Sequence, residues 1–391
     1  MSADATIFPA HFRTFALSHF LRTHALRPVT HDLSTYRYVV ATEGQFGPLT
    51  SKTANSAVRF IPDRVVCVLD STHAGRTVQD VLGFGGSIPV VGTIEEALRM
   101  GPTALLVGIA PQGGGLPDAF RPMLRAAIAA GLDLVSGLHV HLGDDAELAR
   151  LAAERGVQIH DLRKPPADLP VSHGKARLVD AYSVLTVGTD CNIGKMTAGL
   201  RIRDALTARG TRVGFAPTGQ TGILIEGWGI AVDAVVADFI GGAAERLVLR
   251  AAEGNDVVLV EGQGSLVHPG YSGVTLGLLH GSMPDAMILC HQPTRQCPYG
   301  AGNAYNWMPL PSVEEMVAIC EGAIAPLRPS KVIGISLVTF DMEESAARAE
   351  IARVAEATGL PVTDPVRFGA EPLADAILRG ADAKRGERVK G

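Results

Sequence analysis

Residues 184–200, VLTVGTDCNIGKMTAGL, constrain the fold more than any other stretch of this chain. An apolar segment runs through a glycine-bounded turn into Gly194-Lys195 and a helix-forming run. This strand–turn–helix order is the layout of a phosphate-binding loop. Backbone N–H groups and a helix N-terminus face an anion, and the lysine adds a point charge. Gly188 to Gly194 spans seven residues, one more than the common spacing. The expected contacts of a bound phosphate are Gly188, Thr189, Asn192, Gly194, Lys195, Met196 and Thr197. Position 196 is unusual. Such loops place Ser or Thr there to hold Mg²⁺, and a thioether is a poor ligand for a hard cation. Thr197 is one residue late, about 100° further around the helix.

The 391-residue length favours two domains. With 47% hydrophobic and 19% charged residues, sizeable cores can be buried. A net charge of -5 gives no reason to expect nucleic acid or an anionic membrane surface as partner. The five cysteines form no CxxC pair, which argues against a disulfide framework or a Cys-rich zinc site. There is no uninterrupted apolar run of membrane-spanning length and no signal-peptide pattern at the start, so a soluble cytoplasmic protein is expected.

Residues 1–35 lack the βα rhythm and read as an N-terminal helical extension packing on the body or on a second subunit. From residue 36 strands and short helices alternate: RVVCVLD (64–70), the first strong strand, then IPVVGT, ALLVGIA, LDLVSGLH and VQIHDLR. This predicts a doubly wound parallel sheet over 36–165. Prolines and a glycine in KPPADLPVSHGKARL suggest a linker at 166–178. The rhythm resumes over 179–391 with SVLTVGT, RVGFAPTGQTG, DAVVADFIGGAAE, DVVLVEGQGS, DAMILCHQP, KVIGISLVTF and LPVTDPVRFG. The fold class is therefore α/β, with a Rossmann-like domain followed by a P-loop NTPase-like domain. The tail KRGERVKG reads as frayed.

Open α/β sheets bind ligands at the carboxyl ends of their strands. Glu261 after VVLV and Asp238 after VVA are expected there. PTGQTG (217–222) supplies Thr218, Gln220 and Thr221 for a carboxylate or phosphate. In the first domain the polar loops DSTHAGRT (Asp70, His73, Arg76), GIAPQGGGLP and SGLH (His139) share one sheet edge, which suggests a second ligand surface. Lys52 precedes the first strong strand and is placed to close over that edge. His268 and His280 lie in a Gly-rich segment where a buried structural histidine is the commoner outcome. CHQPTRQC lacks paired metal-ligand spacing, so no metal site is expected; Arg295 within it suits a carboxylate or phosphate.

GTDCNIGKMT, PTGQTGILI, AVDAVVADFIGGAAE, VEGQGSLVHPGYSGVTLGLLHG and TDPVRFG together resemble a family once of unknown function and now associated with D-glutamate N-acetyltransferase. DSTHAGRT and LVSGLH resemble it too, so the likeness covers about residues 36–375. The phosphate loop alone also resembles that of dethiobiotin synthetase. The resemblance implies acetyl transfer from acetyl-CoA to the amine of D-glutamate. CoA carries phosphates but needs no metal-assisted cleavage, which suits a loop that keeps its anion cradle without the hydroxyl at position 196. The chain departs from the family picture at residues 1–35 and in RQCPYGAGNAYNW (295–307).

Acetyl transfer needs a general base for the ammonium and hydrogen-bond donors for the thioester oxygen. Glu261 is the first candidate base, followed by Asp238, Asp190 and His268. N–H groups near Gly262 or Gly222 are candidate donors. Arg76, Arg295 and Lys52 are candidates for the carboxylates of glutamate. Two other functions stay open: a Mg·ATP-dependent carboxylate-activating ligase, and a nucleotide- or CoA-sensing regulator. The apolar N-terminal segment and the Gly-rich YSGVTLGLLHG suggest a homo-oligomer.

Overall fold

The computed structural model describes residues 33–48, 50–111 and 114–390. Most of the predicted N-terminal helix therefore lies outside the described residues. Among the described residues twelve strands form two sheets. The first sheet comprises β1 (Tyr38–Ala41), β2 (Val65–Leu69), β3 (Val90–Val91), β4 (Ala104–Val107), β5 (Asp133–Ser136) and β6 (Ile159–Asp161). Its order is β3-β2-β1-β4-β5-β6 and every pairing is parallel, the classic Rossmann order. The second comprises β7 (Tyr182–Gly188), β8 (Val213–Ala216), β9 (Val257–Val260), β10 (Ala286–His291), β11 (Lys331–Leu337) and β12 (Val362–Thr363). Its order, β12-β11-β10-β7-β9-β8, is also all parallel. The α/β class and the two doubly wound sheets are as the sequence predicts.

Strand periodicity sorts the side chains between layers. Val39, Ala41, Leu105 and Val107 pack under the helices Phe120–Ala129 and Ala146–Arg155. Their neighbours Tyr38, Val40, Ala104 and Leu106 face the opposite layer. That layer also contains Ile223, Leu224 and Ala231 of the second domain, so one apolar cluster joins the two domains. The helix Gln220–Glu226 is the wedge between them. All seven residues of β7 are buried, consistent with a central strand covered on both faces.

The structure corrects the sequence reading in three places. The central strand of the first sheet is Tyr38–Ala41, which the reading passed over. Four residues between Arg37 and Thr42 are too short to show a period. DAVVADFI is not a strand: Val232–Ala234 is a 3-10 turn and the helix Ala237–Ala251 follows. Ile240, Ala243, Ala244, Leu247, Val248 and Ala251 recur at three- and four-residue spacing and are all buried, so the helical period prevails. The tail is not frayed, because the helix Glu371–Lys390 runs through it. Lys384 anchors that helix by donating to the Val179 and Ala181 carbonyls and pairing with Asp285 at 2.7 Å.

The Gly-rich stretch after Tyr271 has a use inside the chain. It forms the helix Ser272–Ser282, where Gly277 lies against Ile240 and Gly281 against Gly241 of the neighbouring helix. Side chains there would hold the two helices apart.

Candidate functional site

The carboxyl ends of the two sheets meet in one crevice, held by bonds between the domains. Arg163, just past β6, donates to the Gly137 carbonyl at 2.8 Å and forms an ion pair with Asp233 of the second domain. Arg64 donates to the Leu224 carbonyl at 2.8 Å. The Gln220 side chain lies against Gly137. Lys52 opens the helix Lys52–Phe60 in the first domain and donates to the Asn192 side-chain oxygen at 2.8 Å.

The phosphate loop occupies the end of β7. Asn192 (φ 54) and Gly194 (φ 83) are left-handed, and this places the following N–H groups on a concave face. Among the described residues, the N–H groups of Asn192, Ile193, Gly194 and Lys195 make no hydrogen bond. They are donors available to an anion. Lys195 is buried, and its ammonium donates to the Asp190 carbonyl of its own loop at 2.6 Å. Burial holds its pKa below the usual lysine value. Met196 packs against the apolar cluster that contains Leu200, Phe215 and Ile225. Gly188 packs beside Ile193 and the Lys195 ammonium. The Thr189 hydroxyl bonds to His291 at 3.1 Å, and Thr197 is half-buried in the first turn.

Glu261 sits at the end of β9, 6% exposed. One of its oxygens accepts from the N–H groups of Thr218 and Gly219 at 2.9 and 3.1 Å. Its main-chain carbonyl accepts from the Thr218 hydroxyl at 2.7 Å. Burial pushes the Glu261 carboxyl up to about 7. The two N–H donors and Lys52 oppose that rise, whereas Asp233 adds to it. The carboxyl is thus poised to exchange a proton near neutrality, and it lies beside the anion loop. Thr218 and Thr221 are buried, while Gln220 is half-buried and bridges to the first domain.

Asp190 is fully buried and committed to structure. It accepts from Arg295 at 2.7 Å and from the Tyr299 N–H at 2.8 Å, tying the 295–307 segment over the loop. The Cys191 N–H occupies its other oxygen at 2.7 Å. His268 has both ring nitrogens engaged. Nδ1 accepts from the Gly270 N–H at 3.0 Å, so Nε2 carries the proton and donates to the Tyr299 carbonyl at 2.9 Å. Its ring stacks on Tyr271 and meets Tyr305 edge-on. Candidate metal-ligand atoms of Asp190, Cys191 and His268 lie within 4.8 Å of one another. The oxygens of Asp190 and the nitrogens of His268 already have partners, so this cluster acts as the anchor of the 295–307 segment. Replacing Arg295 by Met leaves the Asp190 charge buried without its cation. The expected cost is about 1.5–3 kcal/mol, with faster amide exchange over 296–306 as the specific readout; unchanged exchange there would refute the anchoring role.

Other predicted residues stay outside this arrangement. Asp70 accepts from Thr42, from the Phe46 and Thr72 N–H groups, from the Thr72 hydroxyl and from His73. Burial raises its pKa, but these bonds outweigh burial and hold it below the usual value. His73 also meets the Phe46 ring edge-on. Arg76 is exposed and donates to the Asp80 carbonyl at 2.6 Å. The side-chain bonds of all three stay within residues 42–80. Asp238 is exposed in the first turn of its helix and not at a strand end. His280 donates from Nε2 to the Ala323 carbonyl at 2.9 Å and belongs to the helix packing. His139 lies exposed beside the crevice, and partial desolvation of its ring together with nearby Arg163 lowers its pKa, against the pull of Asp233. The sequence reading missed Arg163, Asp233 and Gln263. Gln263 clamps the Thr218 carbonyl, and a Gln after E-G was the one local signal available for it.

Residues 170–374 match the family model described as "Domain of unknown function (DUF1611_C) P-loop domain". Residues 71–165 match "Domain of unknown function (DUF1611_N) Rossmann-like domain". The chain is 42% identical over 287 residues to a D-glutamate N-acetyltransferase of Tritonibacter scottomollicae, covering 73% of this chain and 84% of that protein. It is 38% identical over 282 residues to a D-glutamate N-acetyltransferase of a Pseudoalteromonas species, covering 72% and 83%. Its fold matches the crystal structure of a DUF1611 family protein from Anabaena variabilis with a TM-score of 0.83 at 38% identity, over 88% of this chain and 100% of that one. Among the described residues no helix is long and apolar enough to cross a membrane.

Proposed function

The chain belongs to the DUF1611 family, and from that premise we propose that it transfers an acetyl group from acetyl-CoA to the amine of D-glutamate. The observation that carries this reading is Glu261, a buried carboxyl held by the Thr218 and Gly219 N–H groups near an anion-binding loop, where burial pushes its pKa up to about 7. The names of the two curated relatives, which share about 40% of their residues with it, support the reaction class and the acceptor.

In this reading the free N–H groups of residues 192–195 hold a phosphate of CoA, and Lys195 turns from the Asp190 carbonyl to the anion. The loop binds without cleaving, so the apolar side chain of Met196 is no handicap at the position where hydrolytic loops hold Mg²⁺. The acceptor enters from the first domain's edge of the crevice. Glu261 takes a proton from its ammonium, and the amine nitrogen attacks the thioester carbon. The C–N bond forms, the C–S bond breaks, and CoA leaves as the thiol once it regains a proton. N–H groups at the crevice serve the oxygen on which charge develops. Glu261 is held for this task by Thr218 and Gly219, and its burial keeps its basicity near neutrality.

The test is to incubate the full chain with acetyl-CoA and D-glutamate and follow thiol release and product mass, with L-glutamate and Mg·ATP in parallel. Thiol release with acetylated D-glutamate is the expected result. No thiol release, with Mg²⁺-dependent consumption of ATP, would overturn the reading in favour of a carboxylate-activating ligase.

A further inference from the structure

We infer that Lys52 is a second phosphate-binding lysine, delivered to the phosphate loop by the first domain, so that a diphosphate-bearing ligand is gripped by both domains at once. The inference rests on the reading of that loop as the CoA cradle and assigns a residue from the other domain to the same site.

The first argument is charge. Two ammonium groups, Lys52 and Lys195, address one loop. Both are held there by neutral acceptors, the Asn192 side-chain oxygen at 2.8 Å and the Asp190 carbonyl at 2.6 Å. Among the described residues neither lysine forms an ion pair. The nearby guanidinium groups are already matched, Arg295 by Asp190 and Arg163 by Asp233. Glu261 is the remaining acid that acts on Lys52, and its own burial favours the neutral form near pH 7. Lys195 is a buried cation without a counter-charge, and Lys52 brings a second positive charge to the same loop, so an anion there would match both.

The second argument is placement. Lys52 is open to solvent, yet the walls of both domains crowd its ammonium and lower its pKa. The helix that carries it cannot drift. The Ser51 hydroxyl bonds to the Gly47 carbonyl and N–H and to Asn55, and the Ala54 N–H donates to the Gly108 carbonyl at 2.8 Å. An ammonium has three donors. One is used on Asn192, which leaves donors for a ligand beside the unbonded N–H groups of residues 192–195. A thioester, an amide or a neutral sugar would leave both charges unmatched, whereas a diphosphate matches them. The role also explains why the cradle is completed across a domain boundary: the phosphates become part of the cement between the two domains.

The experiment measures binding of CoA and of pantetheine, which lacks the phosphates, to full-length wild type, Lys52→Met, Lys52→Arg and Lys195→Ala by calorimetry, together with KM for D-glutamate. Lys52→Met is expected to weaken CoA binding about 10- to 100-fold and to flatten its salt dependence. Pantetheine affinity and KM for D-glutamate should stay within about twofold, and Lys52→Arg should restore most of the CoA affinity. Wild-type CoA affinity in Lys52→Met, with either a raised KM for D-glutamate or only a lower melting temperature, would overturn the inference and make Lys52 a carboxylate ligand or a simple latch. The loop reading fails separately, if Lys195→Ala binds CoA as the wild type does.

Discussion

Glu261→Gln is expected to lower kcat about 100- to 10,000-fold, the usual contribution of a positioned general base. The amide keeps an oxygen for the Thr218 and Gly219 N–H groups and preserves side-chain volume, so the fold has no reason to change. What is lost is a group that accepts a proton near neutrality. In the wild type, kcat/KM should rise with pH through about 7, as the Glu261 carboxyl ionises. The variant should lack that limb and keep only the higher one owed to the acceptor amine. A variant within tenfold of wild type, with its pH profile intact, would reduce Glu261 to an anchor for the 217–222 turn.

The same residue makes a stability prediction of opposite sign. The folded pKa of about 7 lies above the ordinary value of 4.5, so the folded chain retains a proton that the unfolded chain releases. Stability from this group is complete below 4.5, falls as pH rises through that window, and levels off above 7. At one pKa unit per 1.36 kcal/mol, the loss is about 3 kcal/mol. The Gln variant escapes it. At pH 8 the nearly inactive protein should therefore melt a few degrees higher than wild type, and at pH 4.5 the two should coincide. Equal melting temperatures at both pH values would mean that Glu261 titrates near its ordinary value, and would weaken its candidacy as base.

The legible part of this site was the part made locally. Gly188, Gly194 and Lys195 sit at one strand–helix junction, and Glu261 ends an apolar strand, so hydrophobic pattern and turn chemistry sufficed. The illegible part is made by pairs far apart in the chain. Lys52 meets Asn192 across 140 residues, Arg295 meets Asp190 across 105, and Arg163 meets Asp233 across 70. No period or spacing encodes such partners. Asp190 and His268 show the consequence, because residue type made them candidate bases while their bonds tie down the 295–307 segment. Asp238 was misplaced for a different reason. DAVV carries strand-like composition, but the helical spacing from Ile240 onward decides the conformation.

Gly262→Ala should be the most damaging small substitution near the site, at about 3 kcal/mol. Gly262 follows Glu261 directly. A methyl group on its Cα would overlap the main-chain carbonyl of Thr186 in β7. The Gly262 N–H also donates to the Thr186 hydroxyl at 2.9 Å, so the two segments are held together at this point by more than the sheet ladder. Carbonyl and Cβ cannot both stay. Either β7 or the 261–264 turn must move, and β7 is the central strand that carries the phosphate loop. Overpacking of side chains usually costs 1–3 kcal/mol because side chains can turn aside; here the obstacle is backbone, so the upper end applies. Denaturant unfolding measures the loss. Activity at low temperature distinguishes a loosened site from a lost fold: the variant should lose CoA affinity together with stability, since β7 cannot shift without its loop. A Gly262→Ala protein as stable as wild type would mean that the β7–β9 junction yields easily and does not fix the phosphate loop or Glu261 in place.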